Sequence, residues 1–353
     1  MHRRFAVAAG LLASALACGR AAVHTPPTFP TTTSKGDVVS SPKPSRSRAD
    51  TGAAPRAPNE LGRIPILEYH LITDRESRWS VSREHFRRDL EMLYARGYRP
   101  VTVADLVDKK LDLPAGLSPV VITFDDASPS QFRYVEHGDS LVIDSTSALG
   151  IWLGFHRTHP DWGNKAVFCV LPGAAAGHAF FGDKDIEGQK TQWRMRKLRF
   201  LASQGFELCD HTLWHANLGK YSDDVVQEQI ARGQLAIDSA VAGYRVRTFA
   251  LPLGVWPKNR ALAQAGAWRD PKTGRDVRYA FDAILEVAGG PARSPYDPTF
   301  DALRLPRVEV FADALERTLD QLDRGDMRYV SDGNPATIAR PPRVAARATA
   351  AKE

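Results

Sequence analysis

At 353 residues, 43% hydrophobic and 25% charged, the chain carries enough apolar material for one large globular domain or two ordinary ones, which excludes a chain disordered throughout. The formal charge of +6 sits in the ends: residues 1–60 hold 8 Lys/Arg against 3 Asp/Glu, and residues 331–353 hold 4 against 2. Residues 61–330 hold 35 against 36, so the part with core signals is neutral and no nucleic-acid partner is expected.

Met1-His2-Arg3-Arg4 followed by the apolar run Phe5 to Ala17 reads as a signal peptide, too short to remain as a spanning helix. It ends Ser14-Ala15-Leu16-Ala17-Cys18, which resembles the lipobox of bacterial lipoproteins, with the leucine at 16 rather than 15. The expectation is a lipoprotein-type signal peptide over 1–18 and a lipid anchor on Cys18, placing the protein in the cell envelope. Ordinary cleavage and secretion is the alternative. Residues 19–60 contain seven prolines and Thr/Ser runs without apolar periodicity, the composition of a disordered tether.

From Leu61 the pattern changes. Ile64-Pro65-Ile66-Leu67-Glu68-Tyr69-His70 reads as a strand ending in a histidine, and Ser82 can cap a helix to about Arg96 that Gly97 stops. A short helix, Val103 to Lys109, follows. Val120-Val121-Ile122-Thr123-Phe124 is a buried strand of a parallel sheet, with Asp125 and Asp126 at its C-terminal end. That end is where α/β barrels carry their chemistry, and alternation points the two carboxylates in different directions. Capping of the next element is the plainer use for such a pair.

Residues 131–163 read as an insertion: a hairpin around Gly138, a helix from Ser147 to Arg157, then His159-Pro160-Asp161-Trp162-Gly163. Starting just after Asp126, it is expected to wall one side of the site. Lys165 to Leu171 is another strand, Thr191 to Ser203 a helix, and Phe206 to Asp210 a strand running into His211-Thr212-Leu213-Trp214-His215. Ser222 to Ala242 is a long amphipathic helix, Thr248 to Gly254 a strand with a Pro/Gly end, and Asn259 to Ala267 a helix. Ala280 to Val287 and Leu303 to Val310 are strands, and Ala312 to Asp323 is the last helix before an Ala/Arg/Pro tail from 331. Strands alternating with helices predict one α/β domain over 61–330, a barrel. Cys169 and Cys209 both lie in strand patterns; two buried free thiols are expected, although an oxidising envelope permits a disulfide.

His211 and His215, spaced i, i+4, share one face if the segment makes a helical turn, a spacing that suits a divalent metal with a carboxylate as third ligand. Together, Thr123-Phe124-Asp125-Asp126 and His211-Thr212-Leu213-Trp214-His215 resemble the first two motifs of the polysaccharide deacetylase family, carbohydrate esterase family 4. The resemblance implies a distorted (β/α) barrel, Asp125 as catalytic base, and Asp126, His211 and His215 as ligands of a metal, commonly zinc. The family's third motif, Arg-x-Pro-Tyr-Gly, is here Ala250-Leu251-Pro252-Leu253-Gly254, so Leu253 can supply only its backbone N–H to the oxyanion, and Ala250 cannot orient the base. A C-terminal Leu-x-x-His is also missing. Both departures resemble the envelope poly-N-acetylglucosamine deacetylases, whose first strand ends in Tyr-His; Tyr69-His70 matches that element and makes His70 the expected general acid, with a structural histidine as the alternative. Arg307 is expected to stand in for the missing arginine or else to form a surface ion pair. Trp214 and Trp256, next to motif residues, are candidates for stacking on sugar rings or for core packing. The expected substrate is an N-acetylated envelope polysaccharide, acted on by a monomer. A sugar-binding lipoprotein without turnover, or an O-deacetylase of xylan-like esters, would use the same barrel.

Overall fold

A computed structural model of the protein describes residues 56–173 and 179–341; the expected signal peptide, Cys18 and nearly all of the expected tether lie outside the described residues. The N-terminal part holds β1 (Ile66–Tyr69), β2 (Leu71–Thr73), β3 (Ser80–Ser82), α1 (Arg83–Ala95), β4 (Tyr98–Pro100), α2 (Val103–Val107) and β5 (Ser118–Phe124). Then come β6 (Tyr134–His137), β7 (Ser140–Ile143), α3 (Ala148–Thr158), β8 (Val167–Val170), α4 (Arg194–Ser203), β9 (Glu207–Asp210) and α5 (Asp223–Ala240). The C-terminal part has β10 (Thr248–Ala250), α6 (Ala261–Gln264), β11 (Ala265–Arg269), β12 (Asp276–Ala280), β13 (Ala283–Leu285), β14 (Val308–Glu309) and α7 (Ala314–Arg324). Local chemistry sets the helix starts: Ser82 Oγ accepts from the His85 N–H, Ser147 Oγ from Gly150, and Thr102 with Asp105 forms a reciprocal capping box.

The main sheet is parallel and curls into a distorted (β/α) half-barrel in the order β13-β10-β9-β8-β5-β1-β14, with β4 beside the first half of β5. A bridge between Leu285 and Leu305 brings the chain ahead of β14 back beside β13. All seven residues of β5 are buried, as happens when both faces of a strand are covered. Val120, Ile122 and Phe124 join the outer core with α1, α4 and α5, whereas Val121 joins an inner core with Ile66, Val167, Cys169, Cys209 and Ala250. Each buried Val, Ile or Phe among these contributes about 1.5–3 kcal/mol. The same alternation lifts Glu68 and His70 above Ile66, Thr123 and Asp125 above Val121, and His211 above Cys209. The inside of the barrel is therefore apolar at the bottom and ionisable at the C-terminal rim.

Several expectations are corrected. Residues 131–163 are not one insertion: α3 carries Leu149, Ile151 and Trp152 into the outer core as the crossover between parallel β5 and β8, which such a pair requires. The β6–β7 hairpin pairs with itself, outside the main sheet. The expected helix over 259–267 shrinks to α6 and gives way to the antiparallel hairpin β11–β12. Its turn is built by Asp270, whose carboxylate accepts from the Lys272 N–H and the Thr273 hydroxyl. The fold also reaches past its expected ends, since Asn59 pairs with Val330 and Glu60 Oε2 accepts from the Ala339 N–H. Cys169 and Cys209 are not free thiols: register sets them opposite each other on β8 and β9 with Cα atoms 4.2 Å apart, and they form a disulfide. Among the described residues, no helix is long and apolar enough to cross a membrane.

Candidate active site

The C-terminal ends of β1, β5, β9 and β10 meet at a cavity of about 540 Å³ lined by Glu68, His70, Asp125, Asp126, His211, His215 and Leu253, with Leu71, Arg78, Trp79, Leu251 and Val287 completing it. The backbone bends sharply here. Asp126 (φ 76°), Thr212 (φ 67°), His215 (φ 61°) and Leu253 (φ 58°) all adopt the left-handed region that side chains rarely occupy. The segment 211–215 is thus not the helical turn that an i, i+4 spacing suggests. Two left-handed residues turn the chain instead, and still bring the rings together, with centroids 4.9 Å apart. Helix α5 supports the turn: Gln229 accepts from the Leu213 N–H through its backbone carbonyl and from the Trp214 N–H through its side chain.

Asp126 Oδ1 lies 3.4 Å from His211 Nε2 and 3.6 Å from His215 Nε2. It is buried and has no hydrogen-bond partner among the described residues. The His211 Nδ1–H donates to the Ala250 carbonyl at 2.9 Å, which turns Nε2 toward Asp126. A tetrahedral ion with bonds of about 2.0–2.2 Å holds its donors about 3.3–3.6 Å apart, so one carboxylate and two imidazoles at these separations fit a divalent metal. The electrostatics agree. Burial would lower His211, but the charges of Asp125 and Asp126 outweigh it and push the ring up to about 9. Burial and the neighbouring His211 depress His215 to about 4. Burial would raise Asp126, yet the histidines hold it well below the usual carboxylate range. The two carboxylates draw positive charge to this spot, which a proton on His211 or a bound cation can supply.

Arg307, fully buried, sits behind Asp125. Its Nη1 and Nη2 donate to the two Asp125 oxygens at 2.9 and 2.8 Å, Nη1 also reaches Thr123 Oγ1, and Nε donates to the Glu286 carbonyl at 2.7 Å. Burial alone would protonate Asp125; the guanidinium reverses that and holds it ionised. Gln131 donates to the backbone carbonyls of both His70 and Asp125, tying β1 to β5 at the rim. Glu68 lies 3.3 Å from Arg307 Nε and 3.4 Å from His70 Nε2. Burial pushes Glu68 up to about 8 despite Arg307, with the charges of Asp125 and Glu309 adding to the rise. Burial lowers His70 against the pull of the aspartates.

Seven of the nine expected site residues therefore converge. Trp214 and Trp256 do not line the cavity: Trp214 projects to solvent, and the Trp256 Nε1–H donates to Glu286 at 3.2 Å. Neither does any residue of 131–163 line it, so that segment does not wall the site. Glu68, Arg78 and Trp79 were missed. Glu68 had a signal, since a charged residue inside an otherwise apolar strand two positions before His70 must share its face. Trp79 had none, because its place depends on how β2 and β3 fold back over the rim.

The family model described as polysaccharide deacetylase matches residues 162–267, which include His211 and His215 but not the aspartate pair. No curated protein sequence matches the chain. Among solved structures, the polysaccharide deacetylase BC0361 from Bacillus cereus is similar at 16% identity and a TM-score of 0.50, over 74% of this chain and 69% of that one, which shows a shared fold. IcaB from Ammonifex degensii has 18% identity and a TM-score of 0.49 over 73% of this chain and 96% of its own. The Streptococcus pyogenes deacetylase PplD in complex with acetate has 17% identity and a TM-score of 0.49 over 73% and 97%.

Proposed function

Proceeding from a polysaccharide deacetylase domain, we propose that this protein is a metal-dependent hydrolase that removes acetyl groups from N-acetylated polysaccharide of the cell envelope. The observation that carries the reading is the buried, unpartnered Asp126 Oδ1 between two imidazole nitrogens, beside a carboxylate that Arg307 keeps ionised. Asp126, His211 and His215 would hold a divalent ion, with zinc the first candidate for a His₂-carboxylate set. Bound there, it supplies a polarised acetyl carbonyl and a water of lowered pKa.

The chain's own groups do the rest. Asp125 takes the proton of the attacking water; Arg307 fixes both its oxygens, each of which keeps a further lone pair for that proton. Leu253, held in a left-handed turn on the cavity wall, offers its N–H to the developing oxyanion. The departing amine needs a proton. His70 alone is depressed by burial, but Glu68 at 3.4 Å is raised to about 8, so the pair holds a proton at neutral pH and passes it on through the imidazole. The case for a barrel without turnover rests on the missing C-terminal histidine, whose part His70 takes in this proposal, and on Ala250 in place of the motif arginine. Arg307 fills that role from the opposite side of the sheet.

We place the protein in the envelope, anchored through Cys18. The Cys169–Cys209 pair supports an oxidising compartment. The test is a screen of zinc-loaded protein for acetate released from poly-N-acetylglucosamine, peptidoglycan, chitin oligomers and acetylated xylan. Release from an N-acetylated glycan, lost on chelation and restored by metal, is the expected result. Release from xylan alone would move the reading to O-deacetylation, and no release from any of them would overturn it.

A further inference from the structure

The cavity has a second, non-chemical wall made by Arg78 and Trp79, and we infer that Trp79 is the platform on which the sugar ring of the substrate stacks. The inference takes its ligand class, an N-acetylhexosamine chain, from the deacetylase reading above. Its geometry is independent of the metal and of the base.

Trp79 is a large apolar side chain that remains 45% exposed while lining the cavity. A pyranose presents a face of C–H bonds, and an indole exposed at a cavity mouth buries that face while leaving the hydroxyls in water. The indole lies edge-to-face against the His70 imidazole, with centroids 4.9 Å apart and planes at 71°. A ring seated on Trp79 is thereby next to the imidazole that protonates the departing amine.

The indole is also held ready. The Arg78 guanidinium carbon lies 4.6 Å from its ring centroid, and Arg78 is clamped by Glu309 through two hydrogen bonds of 2.9 Å. Its backbone is fixed at both ends, with the Trp79 N–H donating to Ser77 Oγ at 3.2 Å and its carbonyl accepting from the Leu71 N–H at 3.0 Å. A side chain ordered before the ligand arrives loses little freedom on binding. Glu309 is the last residue of β14, so its pair with Arg78 pins the platform to the strand that follows Arg307. Trp214 and Trp256, the residues expected to stack on sugar rings, do not line the cavity.

The test uses full-length, zinc-loaded protein with tetramers of N-acetylglucosamine, β-1,4- and β-1,6-linked. In an Asp125→Asn background, which prevents turnover, calorimetric titration should show the better-bound tetramer weakened at least tenfold by Trp79→Ala and less than threefold by Trp79→Phe. Glucosamine tetramer, which carries no acetyl group to hydrolyse, repeats the comparison on a wild-type background. In kinetics on acetylated tetramer, Trp79→Ala should raise KM more than it lowers kcat. Unchanged affinity in Trp79→Ala, or a loss confined to kcat as a disturbed His70 would give, overturns the inference. So does a parent protein that binds no tetramer. Tetramer binding that depends on Trp79 in a protein that releases no acetate would sustain the platform and defeat the hydrolase reading, so the two failures are distinct.

Discussion

Asp125 and Asp126 are neighbours with opposite surroundings, and substitutions should separate their roles. Asp126, His211 and His215 meet at one point, so alanine at any of them should remove metal and acetate release together. Asp125→Asn should keep the metal and abolish release, because an amide cannot accept the water's proton. His70→Ala should also keep the metal, and slow amide hydrolysis by about 10²–10⁴-fold, the range for losing a general acid. Its effect on an activated aryl ester, whose leaving group needs no proton, should be smaller. Elemental analysis with two-substrate kinetics on the five variants checks the set; equal slowing of amide and ester by His70→Ala would assign that residue to structure. Arg307 makes a further residue-level prediction. Arg307→Met leaves Asp125 and Glu68 buried without their cation, so it should cost about 3–5 kcal/mol of stability in urea unfolding and abolish acetate release. A variant of wild-type stability would show that the guanidinium is not what holds Asp125 ionised.

At the scale of elements, the turn that carries His211 and His215 hangs from α5. Gly233 lies in the middle of that helix where a Cβ would run into the Asp210 carboxylate, directly ahead of His211, and would press on the Thr212 backbone. Glycine inside a helix ordinarily costs stability, so its presence here reflects close approach of helix to strand end. Gly233→Ala should push α5 away, destabilise by about 1–3 kcal/mol as overpacking does, and loosen the segment that carries both histidines. Competition with a chelator should then show weaker metal binding. Wild-type metal affinity in a folded Gly233→Ala protein would mean that the turn is set by β9 alone.

For the whole molecule, Lys197 is the ionisable group to watch away from the site. It is buried among Phe132, Tyr134 and Phe181, and among the described residues donates only to the Phe181 carbonyl and Gln189 Oε1, at 2.7 and 2.8 Å. Burial, with Arg133 adding, lowers its pKa to about 7. The sign follows from linkage. Between about pH 7 and the ordinary lysine value the unfolded chain binds more protons than the folded one, so this group's cost is full below pH 7 and is relieved as pH rises. Urea unfolding should therefore show wild type gaining stability relative to Lys197→Met from pH 7 to pH 9.5; parallel pH curves would contradict it. Location is testable at the same scale. Several acyl chains on Cys18 would hold the protein on membranes, so Cys18→Ser should shift it to the soluble fraction, and a variant as membrane-bound as wild type would rule the anchor out.

What the sequence determined by itself was whatever depends on near neighbours. The buried run of β5, the caps at Ser82, Thr102 and Ser147, and the turn at Gly138 follow from periodicity and side-chain chemistry within a few residues. Alternation along β1, β5 and β9 reaches further, because it directs Glu68, Asp125 and His211 to one side of their strands whichever strand pairs with them. Tertiary structure decided what depends on which strands become neighbours. Because β1 pairs with β5 on one side and β14 on the other, Glu68, Asp125 and Arg307 meet, although 182 positions separate the last two. That meeting sets a guanidinium against the Asp125 carboxylate, which Ala250 cannot do. The same placement set Cys169 opposite Cys209, sent Trp214 and Trp256 away from the cavity, and folded Trp79 over it. None of these has a local signature, since a side chain's sequence neighbours set its direction from its own strand but not what lies across the barrel.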